Sequence, residues 1–183
     1  MDYDYDSEFK VIFIGEYGIG AKTSLINSII GEKFKEASLP TSSVNIVSIS
    51  KTNNLGHKIK MNLWDTVGQE QFRSVNNIYL KNSHCVILGY DITRKRTFVE
   101  IANYHYNNVK EKSGEFPLIY LVANKIDLWI KEEVSEGEAK AFAEEKKIKY
   151  FRVSSKTRQG VDLLINDIAN SLTDKFIKKK GRS

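Results

Sequence analysis

The sequence predicts an α/β chain built on a largely parallel sheet with helices on both faces, and three observations carry that reading. Short apolar runs alternate with helical patterns: FKVIFIG then TSLINSIIG, CVILGYDI then TFVEIANYHYNNV, PLIYLVANK then SEGEAKAFAEEKK, KYFRVSS then GVDLLINDIANSLTDKF. Such alternation is the mark of helical crossovers between parallel strands. FKVIFIG, CVILGY and LIYLVA are nearly continuous in apolar residues, as strands covered on both faces must be. VNIVSISK and KIKMNLW instead alternate in polarity around a short turn at NNLGH, which predicts an antiparallel hairpin carrying an edge strand.

Individual elements follow from the same physics. Val161, Leu164, Ile165, Ile168, Leu172 and Phe176 recur at three- and four-residue steps, one apolar stripe of a final helix. Ser135 precedes GEAKAF as an N-cap, and Glu138 three residues on would complete a capping box. A length of 183 residues suits one core and is short for two. The expected organisation is a flexible acidic start over residues 1–8, a single domain over 9–177, and a flexible basic tail over 178–183.

Composition narrows the function classes. With 41% hydrophobic and 28% charged residues, and no apolar run of the roughly 18 residues needed to span a bilayer, a soluble chain is expected. MDYDYDSE lacks the basic-then-apolar layout of a signal peptide, which points to the cytoplasm. Cys85 is the only cysteine, which excludes an intrachain disulfide and a cysteine-rich metal site; within CVILGY it reads as a small buried hydrophobe. His57, His84 and His105 have no carboxylate or cysteine at metal spacing. Much of the net charge of +5 sits in KFIKKKGR, and aromatic and basic residues do not interleave, so the tail reads as solvated or membrane-facing, with no nucleic acid partner.

The chemistry lies where strands end, because ligands of such sheets bind beyond the carboxyl ends of the strands. The first strand runs into GEYGIGAKTS, residues 15–24, in which Tyr17, Gly18, Ile19, Gly20 and Ala21 lead to Lys22, Thr23 and Ser24. Glycines let successive N–H groups face one point, and the following helix adds its dipole, so the stretch can cradle phosphates; Lys22 would reach the terminal phosphates and the Thr23 hydroxyl would ligate Mg²⁺. The spacing departs from G-x-x-x-x-G-K-[ST] by one residue, Ala21, and a plain glycine turn beside a solvated lysine is the competing reading. The third strand ends in WDTVGQE: Asp65 can hold the metal through water, Gly68 can offer its N–H to the outermost phosphate, and Gln69 can orient an attacking water. The fifth ends in NKID, where Asp127 can accept from guanine N1–H and its exocyclic amine, Asn124 can bond N7, and the Lys125 stem can pack along the base. The sixth delivers Ser154, Ser155 and Lys156, with the Ser155 N–H able to reach guanine O6. Each motif alone is a common loop; four in order, each at a strand end, are not.

These motifs, with WDTVGQEQFRSVNNIYLKNSHCVILGYDIT, mark a chain that resembles the Ras-like small GTPases, closest to the Rab branch, from about Phe9 to Phe176. The resemblance implies a P-loop small G domain: a six-stranded, mostly parallel sheet with one antiparallel edge strand, flanked by five helices. It implies a GTP/GDP-binding switch with Mg²⁺, GTP hydrolysis aided by Gln69 and Lys22, and a role in vesicle traffic. By spacing, Thr41 matches the family's switch threonine that binds Mg²⁺, and Phe34 its base-stacking phenylalanine. Effectors, exchange factors and activating proteins would meet segments of about 35–46 and 66–80, on an otherwise monomeric protein. Trp64, with Ile46 and Tyr79, matches an effector-facing patch, with core lining as the alternative, and Trp129 reads as a surface loop residue.

Departures from the family pattern fall on the same site. The spacing from Lys22 to Phe34 and Thr41 agrees with the family, so the extra residue must lie between Gly15 and Lys22, absorbed as a local bulge. Tyr17 stands where a small residue is usual and would crowd Gln69, predicting slow hydrolysis. Val67 replaces alanine and Ser43 replaces glycine, reducing the backbone freedom of the switches. The tail ends KKKGRS without a prenylatable cysteine, leaving either a longer native chain or reliance on partners and on weak attraction to anionic lipid. The alternative function is a hydrolysis-deficient or nucleotide-impaired scaffold on the same fold; an ATP-using enzyme is disfavoured by NKID.

Overall fold

The computed structural model describes residues 5–15, 21–35, 43–66, 73–114 and 117–177, with only the backbone described at 21 and 73–76. Its strands are β1 (Ser7–Ile14), β2 (Asn45–Thr52), β3 (Lys58–Asp65), β4 (Cys85–Asp91), β5 (Leu118–Asn124) and β6 (Lys149–Arg152). They form one sheet in the order β2-β3-β1-β4-β5-β6. All neighbours are parallel except β2, which pairs antiparallel with β3 from Asn45 opposite Asp65 to Thr52 opposite Lys58. The hairpin predicted from alternating polarity is therefore present, and β2 is the outer strand.

The helices among the described residues are α1 (Ala21–Ile29), α2 (Arg73–Leu80), α3 (95–112), α4 (Glu136–Lys146) and α5 (161–177). Helix α3 runs unbroken from Lys95–Glu100 through a π-type turn, Ile101–His105, to Tyr106–Lys112, with helical backbone at both joins. Helix α5 continues from Val161–Leu172 into a second π-type turn, Thr173–Ile177. A short 3₁₀ segment, Ile126–Lys131, follows β5.

The two-residue period of a strand sends alternate side chains to opposite faces, which sorts the core into two layers. Phe9, Val11 and Phe13 of β1 join Leu25 of α1 and Leu164, Ile165 and Ile168 of α5 on one face. Ile12 and Ile14 join Leu80 of α2, Phe98 and Ile101 of α3, and Ala139 and Ala143 of α4 on the other. Every residue of β4 is buried, as the unbroken run CVILGYD requires, and Cys85 is a buried free thiol whose pKa burial pushes up. Each fully buried Leu or Ile contributes about 1.5–3 kcal/mol, so the central strands anchor the fold.

Polar side chains fix the edges. Asn53 in the hairpin turn accepts from the N–H groups of Leu55 (2.9 Å) and His57 (2.8 Å), and its amide donates to Thr173 Oγ1 at 2.8 Å, tying the turn to the end of α5. His84 packs edge-on against Phe9 and Phe176, and its Nδ1 accepts from the Lys10 N–H at 3.0 Å. Burial first, and the Lys10 charge second, lower its pKa below the usual imidazole range, which suits a packing role. Ser135 caps α4, accepting from the Glu138 N–H at 3.2 Å, but the expected capping box is only half formed: the Glu138 carboxylate turns instead to Lys95 Nζ on α3. A full ammonium charge outcompetes a neutral backbone N–H for that carboxylate. No helix among the described residues is long and apolar enough to cross a membrane.

Gly160, at the N-cap of α5, has φ +75°, and a Cβ there would lie 2.3 Å from the Arg152 carbonyl oxygen. Both the left-handed backbone and the contact demand glycine. Gly160→Ala is expected to destabilise the protein by about 2 kcal/mol or more, read as a lower urea midpoint at unchanged slope.

Candidate nucleotide site

Strands β1, β3, β4, β5 and β6 run the same way, so their carboxyl ends share one edge of the sheet, and the strand order reverses at β1. At that reversal β1 ends in Gly15. A Cβ on Gly15 would lie 2.5 Å from the Gly89 carbonyl oxygen of β4, so β1 and β4 approach there only because no side chain intervenes. The Gly15 carbonyl accepts from Lys22 Nζ at 2.9 Å. Lys22 is only 8% exposed, turned back onto the end of β1 rather than extended into solvent. A solvated lysine after a glycine turn does not behave this way.

Helix α1 begins at Ala21, so the backbone of the extra residue is helical. Thr23, in the first turn, donates its hydroxyl to Asp65 Oδ2 at 2.6 Å. Asp65 closes β3 in register with Phe13 of β1, and the next residue, Thr66, is buried and donates to the Phe13 carbonyl at 2.6 Å. One carboxylate and one hydroxyl thus meet beside the lysine. They are hard oxygen donors suited to Mg²⁺, which takes one or two protein ligands and fills its octahedron with water and phosphate. No group of three or more His, Cys, Asp or Glu that could hold a metal occurs among the described residues.

The other half of the site joins the ends of β5 and β6. Asn124 is buried; its Oδ1 accepts from the N–H of Lys125 (2.7 Å) and of Ser155 (3.1 Å), and its Nδ2 meets Ser155 Oγ at 2.7 Å. One carboxamide therefore clamps two loops. Asp127 accepts from Ser154 Oγ at 2.6 Å, and Ser154 Oγ in turn accepts from the Thr157 N–H at 3.0 Å. Lys125 lies in the left-handed region at φ +68°, and its Nζ is 2.6 Å from Asp91 Oδ2 at the end of β4. Asp91 is fully buried, and its other oxygen accepts from the N–H and hydroxyl of Thr93. The sequence reading did not single out Asp91. The signal was there: a carboxylate closing an otherwise apolar buried run needs a cation.

A small cleft lined by Ser24, Asn27, Ser28, Phe34 and Ser155 lies beside α1. Phe34 is 39% exposed, and Lys156 Nζ lies 5.9 Å from its ring centroid. Of the residues expected at the site, Lys22, Thr23 and Asp65 come together at one end, and Asn124, Lys125, Asp127, Ser154 and Ser155 at the other. Ser24 and Phe34 line one cleft with Ser155, and Lys156 lies against the Phe34 ring. Tyr17, Gly18, Ile19, Gly20, Thr41, Gly68 and Gln69 lie outside the described residues, as do the side chain of Ala21 and Val67.

Beside the site, Ile46 on β2 pairs in register with Trp64 on β3, and the Trp64 ring lies 5.5 Å from that of Tyr79 on α2. Lys10 Nζ sits 4.4 Å from the Trp64 ring centroid, and burial lowers the pKa of that ammonium. Ile46 and Ile78 are exposed while Trp64 is half-buried, so the tryptophan both lines the core and borders an open apolar surface. Trp129 is 67% exposed, as expected of a loop residue.

The sequence profile of the Ras family matches residues 10–174. Ras-related protein Rab-1 of Theileria parva is 34% identical over 173 residues, covering 94% of this chain and 77% of that protein. Ras-related protein Rab-13 of Bos taurus is 33% identical over 178 residues, covering 97% and 85%. Ras-related protein SEC4 of Candida albicans is 27% identical over 175 residues, covering 96% and 82%. The chain belongs to the Ras family, and with it to the small GTPases that bind GTP and GDP with Mg²⁺ and hydrolyse GTP. Its likeness to Rab proteins places it among the GTPase switches of membrane traffic, which act through regulators and effectors.

Because Gly15 joins β1 to β4 and receives Lys22, Gly15→Ala should cost about 1–3 kcal/mol of stability, as overpacking does, and weaken nucleotide retention as well. Thermal unfolding of the nucleotide-loaded protein and the dissociation rate of a fluorescent GDP analogue would read the two effects.

Proposed function

We propose that this chain is a Rab-like switch of slow intrinsic turnover whose site uses the residues described above. The observation that carries the reading is Lys22 turned back onto Gly15, beside the Thr23–Asp65 pair, on the same sheet edge as the Asn124–Ser155 clamp. In this reading, Asp127 accepts from the guanine edge, held in place by Ser154. Asn124 and the Ser155 N–H face N7 and O6, and the Lys125 stem and Phe34 flank the ring. Main-chain N–H groups of Tyr17, Gly18, Ile19, Gly20, Ala21, Lys22, Thr23 and Ser24 surround the phosphates, which a helix N-terminus also favours. Mg²⁺, held by Thr23, Thr41 and Asp65, neutralises phosphate charge when bound. Lys22 positions the β- and γ-phosphates, and Gln69 orients the attacking water, without a covalent intermediate.

The γ-phosphate would hold Thr41 and Gly68, ordering segments of about 35–46 and 66–80 into a surface for effectors, exchange factors and activating proteins, and hydrolysis would release them. Ile46, Trp64 and Tyr79 support an effector contact on that side. The domain would span residues 9–177 and act as a monomer, cytoplasmic or peripheral on the cytosolic face of membranes. The basic tail would add only weak, salt-sensitive attraction to anionic lipid, and nucleic acid is not a partner. No arginine is an evident internal finger, so speed requires one from an activating protein, which is worth ~10³-fold or more.

Tyr17 supports a second reading, a scaffold that hardly cycles. Single-turnover GTP hydrolysis separates the two. A rate that rises about tenfold in Tyr17→Ser, or 1.4 kcal/mol of barrier, marks a hindered enzyme, whereas absence of nucleotide binding marks a scaffold. Chromatography of the nucleotide released on denaturation should show GDP or GTP; adenine nucleotide would end the guanine assignment. Asp127→Asn is expected to shift preference from guanine to xanthine, and an unchanged preference would remove Asp127 from base recognition.

A further inference from the structure

The segment between β6 and α5 carries Ser154 and Ser155, which brace Asp127 and bond Asn124, and it is tied to itself: the Ser154 N–H donates to the Gln159 carbonyl at 2.9 Å and the Val161 N–H to the Arg158 carbonyl at 3.2 Å. Within it Arg158 stands in the left-handed region at φ +65°, which a residue with a side chain adopts at a cost. Glycine would hold that backbone freely, so what arginine adds here is its guanidinium. That group reaches two helices. Its Nη1 donates to the Ser28 carbonyl in the last turn of α1, a partner 130 residues away in sequence, and its Nη2 donates to Asp162 Oδ1 in the first turn of α5 at 3.2 Å. The Ser28 carbonyl also accepts from the Gly31 N–H at 3.2 Å, which the two lone pairs of a carbonyl oxygen allow.

The two bonds differ in consequence. Arg158 and Asp162 form an exposed ion pair four residues apart, and such pairs contribute little; this one serves to aim the guanidinium. The bond to Ser28 instead joins separate elements, and a charged donor at a helix C-terminus is favoured both as a hydrogen bond and by the helix dipole. Ser28 and Ser155 line one cleft with Ser24 and Phe34, so Arg158 ties two walls of that cleft together. Helix α1 carries Lys22 and Thr23 in its first turn and Ser28 in its last, so a segment fixed to Ser28 is also fixed relative to the Thr23–Asp65 pair. We propose that Arg158 is a positioning residue for retention of the guanine nucleotide, a strap that keeps the segment after β6 closed against α1. The inference rests on the reading that Asn124, Asp127 and Ser155 face the base. Because the strap acts on the base side, it governs how long nucleotide stays rather than how fast the terminal phosphate is cleaved.

The test is the dissociation rate of a fluorescent GDP analogue and of a non-hydrolysable fluorescent GTP analogue from the full chain, chased with excess GDP at fixed Mg²⁺. Arg158→Gly removes the guanidinium and suits the left-handed backbone, so the fold is expected to survive it, read as an unchanged far-UV circular dichroism spectrum. Both analogues should leave about tenfold faster, the scale of one hydrogen bond from a charged donor. The single-turnover rate constant of bound GTP should stay within about twofold. Arg158→Lys, whose ammonium can still reach a carbonyl, should recover part of the retention, and Asp162→Asn should change the dissociation rates by no more than about twofold. Dissociation in Arg158→Gly equal to that of the unsubstituted protein would overturn the strap and leave the base reading standing. A rise matched in Asp162→Asn would also overturn it, reducing Arg158 to a brace for the start of α5, as would a rise confined to the GTP analogue. Failure of the unsubstituted protein to retain any guanine nucleotide would remove the base reading and this inference together.

Discussion

At Gly15 the central strand comes within side-chain distance of its neighbour: a single methyl group would collide with the Gly89 carbonyl oxygen 2.5 Å away. That close approach lets β1 and β4 stay paired to the sheet edge and leaves the Gly15 carbonyl free to receive Lys22. The lysine that would serve the phosphates is thereby held by the backbone of the strand that leads to it. The Thr66 hydroxyl, bonded to the Phe13 carbonyl, fixes β3 to the same strand end, and Asp65 beside it meets Thr23. The half of the site proposed for the phosphates thus depends on three strands ending together, β1 against β4 because Gly15 lacks a side chain and β3 against β1 through Thr66.

The other half of the site, proposed to hold the base, rests on a different device, a buried polar network that joins the segments following β5 and β6. A buried carboxamide or carboxylate is costly unless its partners are supplied. Asn124 finds them in the two residues that follow the strands, and Asp91 finds them in Lys125 and Thr93. Neutral and charged groups therefore brace each other before any ligand arrives. Preorganised donors and acceptors cost little reorganisation on binding, which the proposed recognition of a base edge would require. Asp127 is braced in the same way by Ser154.

The two ends of the sheet differ in electrostatic character for topological reasons. Helix N-termini and glycine-bearing loops gather at the carboxyl ends of the strands, where anions are favoured by backbone dipoles. Helix C-termini gather at the other end, where lysines such as Lys110 and Lys146 in the last turns offset the dipoles. Arg152 of β6, between Glu132 and Glu136, shows the contrasting arrangement of a cation neutralised within the fold.

The alternation of apolar runs with helical stripes was enough to give the class of fold, the antiparallel hairpin and the stripe of α5, because strand and helix periods are local properties of the chain. The motifs at strand ends were legible for the same reason, each a short run of residues whose chemistry needs no partner to be recognised. The half-formed capping box was not, because Glu138 answers to Lys95, far away in sequence. Asp91 and Lys125, and the demand for glycine at positions 15 and 160, likewise came only from tertiary structure. Each is a contact between elements distant in sequence, and the sequence order of residues carries no distance between them until the sheet has set one.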